Sequence, residues 1–491
     1  MANEITIAFV AAEVSPFSKA GGVADVARSL PKALRRLGHN IFVITPLHGI
    51  IDREKHHLFQ LASNVPVHMA KDAVEMADFW QGELTEGLPV YFIDHKNFFS
   101  GHKAIYGTTD QNKRYFFFDV AVFQLLRFLQ RSPEFIHCND WQTGLIPYFL
   151  RGRYRDEPLF AKTRSVYTIH NLTFQFGQDW WSVPPEKRDD CHGQLPHFHD
   201  ERKLVRVNFA KRAIMNADII NTVSETYAQE ILTKEYGQDL HRVLHRRKDR
   251  VFGIVNGIDY FDYNPASDPG LYRNYDTDSL HIKDKNKRFL QRELGLPEDS
   301  SIPIIGMVSR LTEQKGFDLI LEVLEPLMRL DVQIAILGGG DKQYQQSLKS
   351  AARKHPKRLA GHFEFSADLA TRFYAGSDMF LMPSRFEPCG LGQLISLRYG
   401  SVPIVHATGG LVDTISDFNP KTEHGNGFVF TTYDSRDMLV AIARAIEEYK
   451  RLNVWQRLVK RSMQQSYSWE IPAKKYVTLY RKARTLKPHG A

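Results

Sequence analysis

The stretch ITIAFVAAEVSPFSKAGGVADVARSLPKALRRLGHNIFVITP, residues 5–46, indicates the fold class of this 491-residue chain. It opens with an apolar run rich in β-branched residues, passes through a loop with the adjacent glycines Gly21 and Gly22, and continues with apolar residues at helical spacing. Gly38 is a natural stop for that helix, and a second apolar run follows it. A strand, a glycine-rich loop, a helix and another strand form the building block of a doubly wound α/β sheet, whose ligands bind at the carboxyl ends of the strands.

The length of the chain and a change in composition predict two domains. A chain of 491 residues is long for a single core. Strand-like and helix-like stretches alternate on both sides of residues 259–278, which are dense in Pro, Asp, Tyr and Asn. Such a composition is typical of a connection between domains.

Composition also argues against several classes of protein. The net charge is +8, but the basic residues are interleaved with acids and no aromatic-plus-basic recognition module is visible, so we expect no nucleic-acid partner. No apolar run is long enough to span a membrane, and the N-terminus does not resemble a signal peptide. The three cysteines include no Cys-x-x-Cys pair, which argues against a disulfide framework or a thiolate zinc site and favours a reducing cytoplasm.

Two turns in the second half of the chain carry the residue types of an anion site. Residues 383–394 read PSRFEPCGLGQL and connect a short apolar run to a helical pattern, where free backbone N–H groups favour a phosphate. Glu387 lies in this turn, either to hold sugar hydroxyls or simply to cap the helix. Residues 309–316 read SRLTEQKG, and Arg310 and Lys315 flank this turn. The two cations either clamp a diphosphate or are ordinary surface charges.

These segments resemble the signature boxes of bacterial-type glycogen and starch synthases, which are retaining glucosyltransferases of the GT-B fold. KAGGVADV at 19–26, the two turns above and SWE at 468–470 match the boxes in order, so the resemblance covers most of the chain. It implies two Rossmann-like doubly wound domains that face each other across a deep cleft. Residues 1–262 would bind the acceptor and 263–470 the nucleotide sugar, with a last helix at about 471–491 packing back on the first domain.

The resemblance also implies a reaction and a set of site residues. Glucose would pass from ADP-glucose to the non-reducing end of an α-1,4-glucan such as glycogen, with retention of configuration and with neither a metal nor a cofactor. The implied catalytic residues are His170, Arg310, Lys315 and Glu387. The implied nucleotide-sugar contacts are Lys19, Gly21, Gly22, Asn171, Asn256, Phe365, Cys389, Gly390, Leu391 and Gly392, and the implied acceptor contacts are Asp25, Asp140 and Trp141.

The sequence departs from the family pattern at a few positions, and alternatives stay open. Gly392 stands where the family usually has Thr, and Phe176 intervenes before Gly177 in the segment HNLTFQFG, which resembles the family's HNLAYQG turn. A related retaining transferase that uses UDP-glucose or a small sugar acceptor is one alternative. A non-catalytic protein that binds glucan or nucleotide sugar is another, although such a protein has no need of a leaving-group clamp. The sequence does not predict an oligomeric state.

Overall fold

The computed structural model describes residues 4–178, 182–364 and 366–486 and divides into two compact units. The first unit comprises Met1–Asn256 and Trp469–Ala491, and the second comprises Gly257–Ser468. The boundary therefore falls after Asn256 and not after residue 262, and the returning segment begins at Trp469. The shift has a physical cause, because the N–H of Ile258 donates to the carbonyl of Tyr467 at 2.8 Å and its side chain lies in the core of the second unit.

The first unit is built on one sheet with the strand order β3-β4-β5-β2-β1-β6-β7-β8-β9. Its pairs are parallel except for β3 with β4 and β4 with β5, which are antiparallel. The strands are β1 Thr6–Val10, β2 Asn40–Pro46, β3 Phe59–Ala70, β4 Ala73–Thr85, β5 Leu88–Asp94, β6 Phe135–Asn139, β7 Arg164–Ile169, β8 Ile219–Thr222 and β9 Val251–Gly253.

Helices cover both faces of this sheet. Successive side chains of its central strand β1 therefore enter two different apolar clusters. Ala8 and Val10 belong to one cluster, and Ile7 and Phe9 belong to the other. The helices of this unit are α1 Gly22–Arg36, α2 Gln111–Phe128, α3 Ile146–Arg151, α4 Glu201–Leu204, α5 Phe209–Asn216, α6 Glu225–Glu230, α7 His241–Arg246 and α17 Glu470–Thr485.

Polar contacts fix the C-terminal helix α17 on the first sheet. Both nitrogens of the buried His137 ring are hydrogen-bonded, Nδ1 to the Tyr480 hydroxyl at 2.6 Å and Nε2 to the Thr168 hydroxyl at 2.7 Å. The guanidinium of Arg164 donates to the carbonyls of Ala483 and Leu486, both at 2.6 Å. A cation that binds the last carbonyls of a helix also opposes the negative end of its dipole. The helix is thus an integral part of the first unit.

The second unit is built on a parallel sheet with the order β12-β11-β10-β13-β14-β15. Its strands are β10 Ile304–Val308, β11 Gln333–Leu337, β12 Leu359–His362, β13 Met379–Met382, β14 Val402–His406 and β15 Phe428–Phe430. Its helices are α8 Lys283–Glu293, α9 Phe317–Glu322, α10 Leu324–Leu327, α11 Lys342–Lys354, α12 Ala367–Gly376, α13 Gly392–Arg398, α14 Gly409–Thr414, α15 Ser435–Tyr449 and α16 Leu452–Gln464. The predicted doubly wound α/β architecture is confirmed. In the part of the chain that the structure describes, no helix has the length and hydropathy that a membrane crossing requires.

Candidate active site

The glycine-rich loop after β1 is held by a buried carboxylate. Glu13 accepts the N–H of Gly21 at 3.1 Å and also that of Ala20. Burial raises the pKa of Glu13, while these N–H groups and the Tyr106 hydroxyl act against the rise. The N–H of Gly21 therefore bonds to the protein itself, and the contact of Gly21 with the nucleotide stays a prediction. Gly22 is the first residue of α1.

Lys19 and Asp25, predicted for different substrates, form an ion pair with each other. Lys19 Nζ lies 2.7 Å from Asp25 Oδ1, and the two side chains are 44% and 24% exposed. An exposed pair of this kind contributes at most about 1 kcal/mol. Lys19 can therefore exchange Asp25 for an anionic ligand at little cost.

His170 is held in place by Asn139, the last residue of β6, and by Asp140, the next residue. Its backbone N–H donates to Asp140 Oδ1 at 2.7 Å, and its Nε2 lies 2.9 Å from Asn139 Oδ1. The amide nitrogen of Asn139 donates to the Val10 carbonyl, so its oxygen accepts a hydrogen bond from the Nε2–H of His170. Burial lowers the pKa of His170 to about 3, and the imidazole is therefore neutral near pH 7.

The Asp140 carboxylate binds backbone N–H groups, and its contact with the acceptor stays a prediction. Its carboxylate accepts the N–H groups of His170 and Asn171, and burial raises its pKa to about 7. Its backbone has φ of 57°, in the left-handed region that a non-glycine residue seldom adopts. Such a conformation persists where the surroundings enforce it, and here it directs the carboxylate at the turn after β7.

Trp141 packs in the core of the first unit, and its contact with the acceptor stays a prediction. The side chain is 4% exposed. Its ring meets Tyr115 edge-on with centroids 5.2 Å apart, and Phe209 with centroids 5.8 Å apart. Both ring contacts are with core residues of the same unit.

The two predicted asparagines differ in what their side chains contact. Asn171 Oδ1 accepts the N–H of Thr173 at 3.1 Å and so shapes its own turn. Asn256 is buried, and its Oδ1 has no hydrogen-bond partner within 4–178, 182–364 and 366–486. A buried acceptor without a partner is costly, which makes Asn256 the better candidate for a ligand contact.

In the second unit, the two turns singled out in the sequence meet at the carboxyl ends of β10 and β13. Lys315 Nζ forms an ion pair with Glu387 Oε2, and the Ser384 hydroxyl donates to the same carboxylate oxygen at 3.0 Å. The N–H of Arg385 donates to the Gln314 carbonyl at 2.9 Å. The turns also approach so closely that a Cβ at Gly316, where φ is +77°, would collide with the Pro383 carbonyl. Glycine at 316 is therefore required by both its conformation and the contact.

A cavity of about 140 Å³ lies beside this ion pair. Gly390, Leu391 and Gly392 line it together with Lys315 and Glu387. The helix α13, which begins at Gly392, has only seven residues and therefore a weak dipole. The charged side chains of the cavity contribute more to anion binding than this dipole does. The structure thus brings five of the predicted residues to one cavity wall.

The remaining predicted residues of the second unit are Arg310, Cys389 and Phe365. Arg310 is exposed, and none of the described residues forms an ion pair with it. Cys389 is buried at 6% exposure. Phe365 lies outside the described residues. Sequence reasoning missed the roles of Glu13 and Ser384, although a lone carboxylate after an apolar strand was a visible signal for Glu13.

Comparisons with known proteins place the chain in a class. The model for the starch synthase catalytic domain matches residues 6–246, and that for glycosyl transferases group 1 matches residues 286–461. The structure of sucrose-phosphate synthase from Thermosynechococcus elongatus has a TM-score of 0.62 at 16% identity, covers 99% of this chain and 100% of that one, and shows a shared fold alone. Two parallel-sheet units with these matches define a glycosyltransferase of the GT-B fold.

Relatives of higher identity narrow that class. The catalytic domain of starch synthase IV from Arabidopsis thaliana, solved bound to ADP and acarbose, has a TM-score of 0.86 at 33% identity, with 98% of this chain and 99% of that one covered. Glycogen synthases from Desulforudis audaxviator and Thermotoga maritima are 43% and 41% identical, covering 98% and 97% of this chain and 96% and 98% of theirs. The chain belongs to the glycogen and starch synthase family of glucosyltransferases.

Proposed function

We propose that this protein transfers glucose from ADP-glucose to the non-reducing end of an α-1,4-glucan with retention of configuration. The observation that carries the proposal is the Lys315–Glu387 ion pair in the wall of the cavity in the second unit. It combines a cation for a diphosphate with a carboxylate for sugar hydroxyls. The ADP and acarbose bound to the 33% identical starch synthase, and the names of the glycogen synthase relatives, support the same donor and acceptor.

The second unit supplies positive charge for the departing diphosphate. Cleavage of the anomeric C–O bond leaves negative charge on the leaving group, and preorganised donors stabilise that charge most strongly when water is excluded. Lys315 offers a compact ammonium group, and the exposed guanidinium of Arg310 offers a second cation. Glu387, oriented by the Ser384 hydroxyl, accepts hydrogen bonds from the glucose.

The first unit supplies a neutral imidazole, an unpaired amide oxygen and a lysine that can change its ion-pair partner. Positive charge develops on the glucose ring during the reaction, so an imidazolium beside it would raise the barrier. The low pKa of His170 keeps its imidazole neutral, and we assign the imidazole and the His170 backbone carbonyl to the donor glucose. Asn256 accepts a glucose hydroxyl through its unpaired Oδ1. Lys19 leaves Asp25 to bind the diphosphate.

The acceptor is the least defined substrate, because Asp140 and Trp141 contact groups of the first unit itself. Asp25 is 24% exposed. We retain glycogen as the acceptor on the strength of the relatives. Cys138, Cys191 and Cys389 form no disulfide within the described residues, which is consistent with a reducing cytoplasm as the site of the activity.

The test is turnover of radiolabelled ADP-glucose and UDP-glucose, each with glycogen. We expect ADP-glucose to be used faster and the added glucose to be released by β-amylase, which cuts α-1,4 linkages from the non-reducing end. Faster use of UDP-glucose would overturn the donor. Label that β-amylase does not release would overturn the linkage, and absence of incorporation from both donors would overturn the proposed reaction.

A further inference from the structure

The last turn of α12 places a tyrosine beside the candidate site. Tyr374 is 5% exposed, and its ring packs on Phe380 with centroids 4.8 Å apart. A Cβ added to Gly392 would lie 3.5 Å from the Tyr374 hydroxyl oxygen. The hydroxyl therefore lies next to a position of this wall that has no side chain.

The Tyr374 hydroxyl also differs from those of nearby buried tyrosines. Tyr275 donates to the Tyr399 carbonyl at 2.7 Å, Tyr399 to Asp268 at 2.6 Å, and Tyr449 to the Ser300 carbonyl at 3.0 Å. No described residue accepts from or donates to the Tyr374 hydroxyl. Its hydrogen-bonding capacity is therefore available to a ligand in the cavity that Tyr374 lines.

The same tyrosine lines the cavity that contains Lys315 and Glu387. Burial raises the pKa of the phenol, which remains protonated and can donate a hydrogen bond. A side chain at position 392 would crowd this donor, since its Cβ would also lie 3.2 Å from Phe380 and 3.4 Å from the Met382 sulfur. Glycine at 392 thus leaves the space between the hydroxyl and the cavity open.

We propose that the Tyr374 hydroxyl donates a hydrogen bond to an oxygen of the nucleoside diphosphate, through the space left open at Gly392. This inference rests on the proposed function, because it assigns the cavity to the nucleotide part of the donor. Tyr374 then acts as a substrate-binding residue.

The test is calorimetric titration of ADP into the wild-type protein and into Tyr374→Phe. Loss of one hydrogen bond to a charged ligand should weaken ADP binding about tenfold. The melting temperature should not fall, because the hydroxyl has no partner among the described residues. Tyr449→Phe is the matched control, since its hydroxyl bonds to Lys287 and Ser300 away from the cavity. It should lower the melting temperature and leave ADP affinity unchanged.

The outcomes separate this inference from the proposed function. ADP affinity of Tyr374→Phe equal to that of the wild type would overturn the inference while leaving the proposed function intact. A lowered melting temperature with unchanged affinity would also overturn it, because the hydroxyl would then be structural. A wild-type protein that binds no ADP would overturn both.

Discussion

Replacing Lys315 by alanine tests the Lys315–Glu387 pair through stability and turnover at once. The side chains are 18% and 8% exposed, so the variant leaves a buried carboxylate with only the Ser384 hydroxyl among the described residues to satisfy it. Removing one partner of a buried ion pair costs about 3–5 kcal/mol. For a domain of about 150–250 residues, each kcal/mol lowers Tm by about 2–4 °C, so a fall of roughly 6–20 °C is expected by scanning calorimetry.

The same variant should also lose catalysis. Removing one preorganised donor to a developing negative charge lowers kcat by about 10²–10³-fold. Initial rates with ADP-glucose as donor should show this loss at saturating glycogen, with KM for glycogen unchanged. Lys315→Arg should recover little, because a planar guanidinium cannot place its charge where a compact ammonium does.

Two further variants separate the two effects. Lys287 forms a comparably buried pair with Asp378, at 2.8 Å. Lys287→Ala should therefore lower Tm and leave kcat unchanged. The double variant Lys315→Met/Glu387→Gln contains no unpaired charge, so its Tm should return toward the wild-type value while kcat stays low. If Lys315→Ala kept the wild-type kcat and only its Tm fell, the role of Lys315 in stabilising the leaving group would be refuted.

Three other outcomes can be measured. Trp141→Phe should lower Tm through lost core packing and leave KM for glycogen unchanged, and the reverse result would restore its acceptor role. Burial raises the pKa of Asp140 to about 7. The folded state thus keeps a proton that the unfolded state releases near pH 4, and stability falls as pH rises from about 4 to 7. Asp140→Asn should lose this slope, so parallel Tm–pH curves would contradict the assignment. Excess EDTA should not reduce turnover, because Arg310 and Lys315 supply the positive charge, and a full loss reversed by Mg²⁺ would contradict this.

Much of the fold could be predicted because buried parallel strands read as short apolar runs bounded by glycine or polar turns. The antiparallel strands β3 and β4 were not predicted, since β3 is mostly exposed and contains Pro66 and the left-handed Asn64. The apolar pattern over residues 317–330 is that of a single helix, but the structure has α9 and α10 separated at Val323. Apolar periodicity continues through such a break and does not reveal it.

The candidate site was less predictable, because its key contacts join distant parts of the chain. Lys315 and Glu387 are 72 residues apart in sequence, and their pairing depends on how two loops meet at a sheet edge. Trp141 was assigned to the acceptor, yet a tryptophan in the core and one on a sugar look the same in sequence. The open hydroxyl of Tyr374 depends on the missing side chain at Gly392, which only coordinates reveal.

The position of helix α17 has a consequence for biosynthesis. The residues of the first unit's sheet leave the ribosome before the second unit is made, whereas Tyr480 and the carbonyls bound by Arg164 are translated after it. Until then, Nδ1 of the His137 ring lacks its Tyr480 partner and the apolar surface under α17 remains uncovered. A nascent chain stopped before Trp469 contains every predicted site residue and still cannot complete the first unit. A segment that is translated after the second unit therefore completes the half of the enzyme that was translated before it.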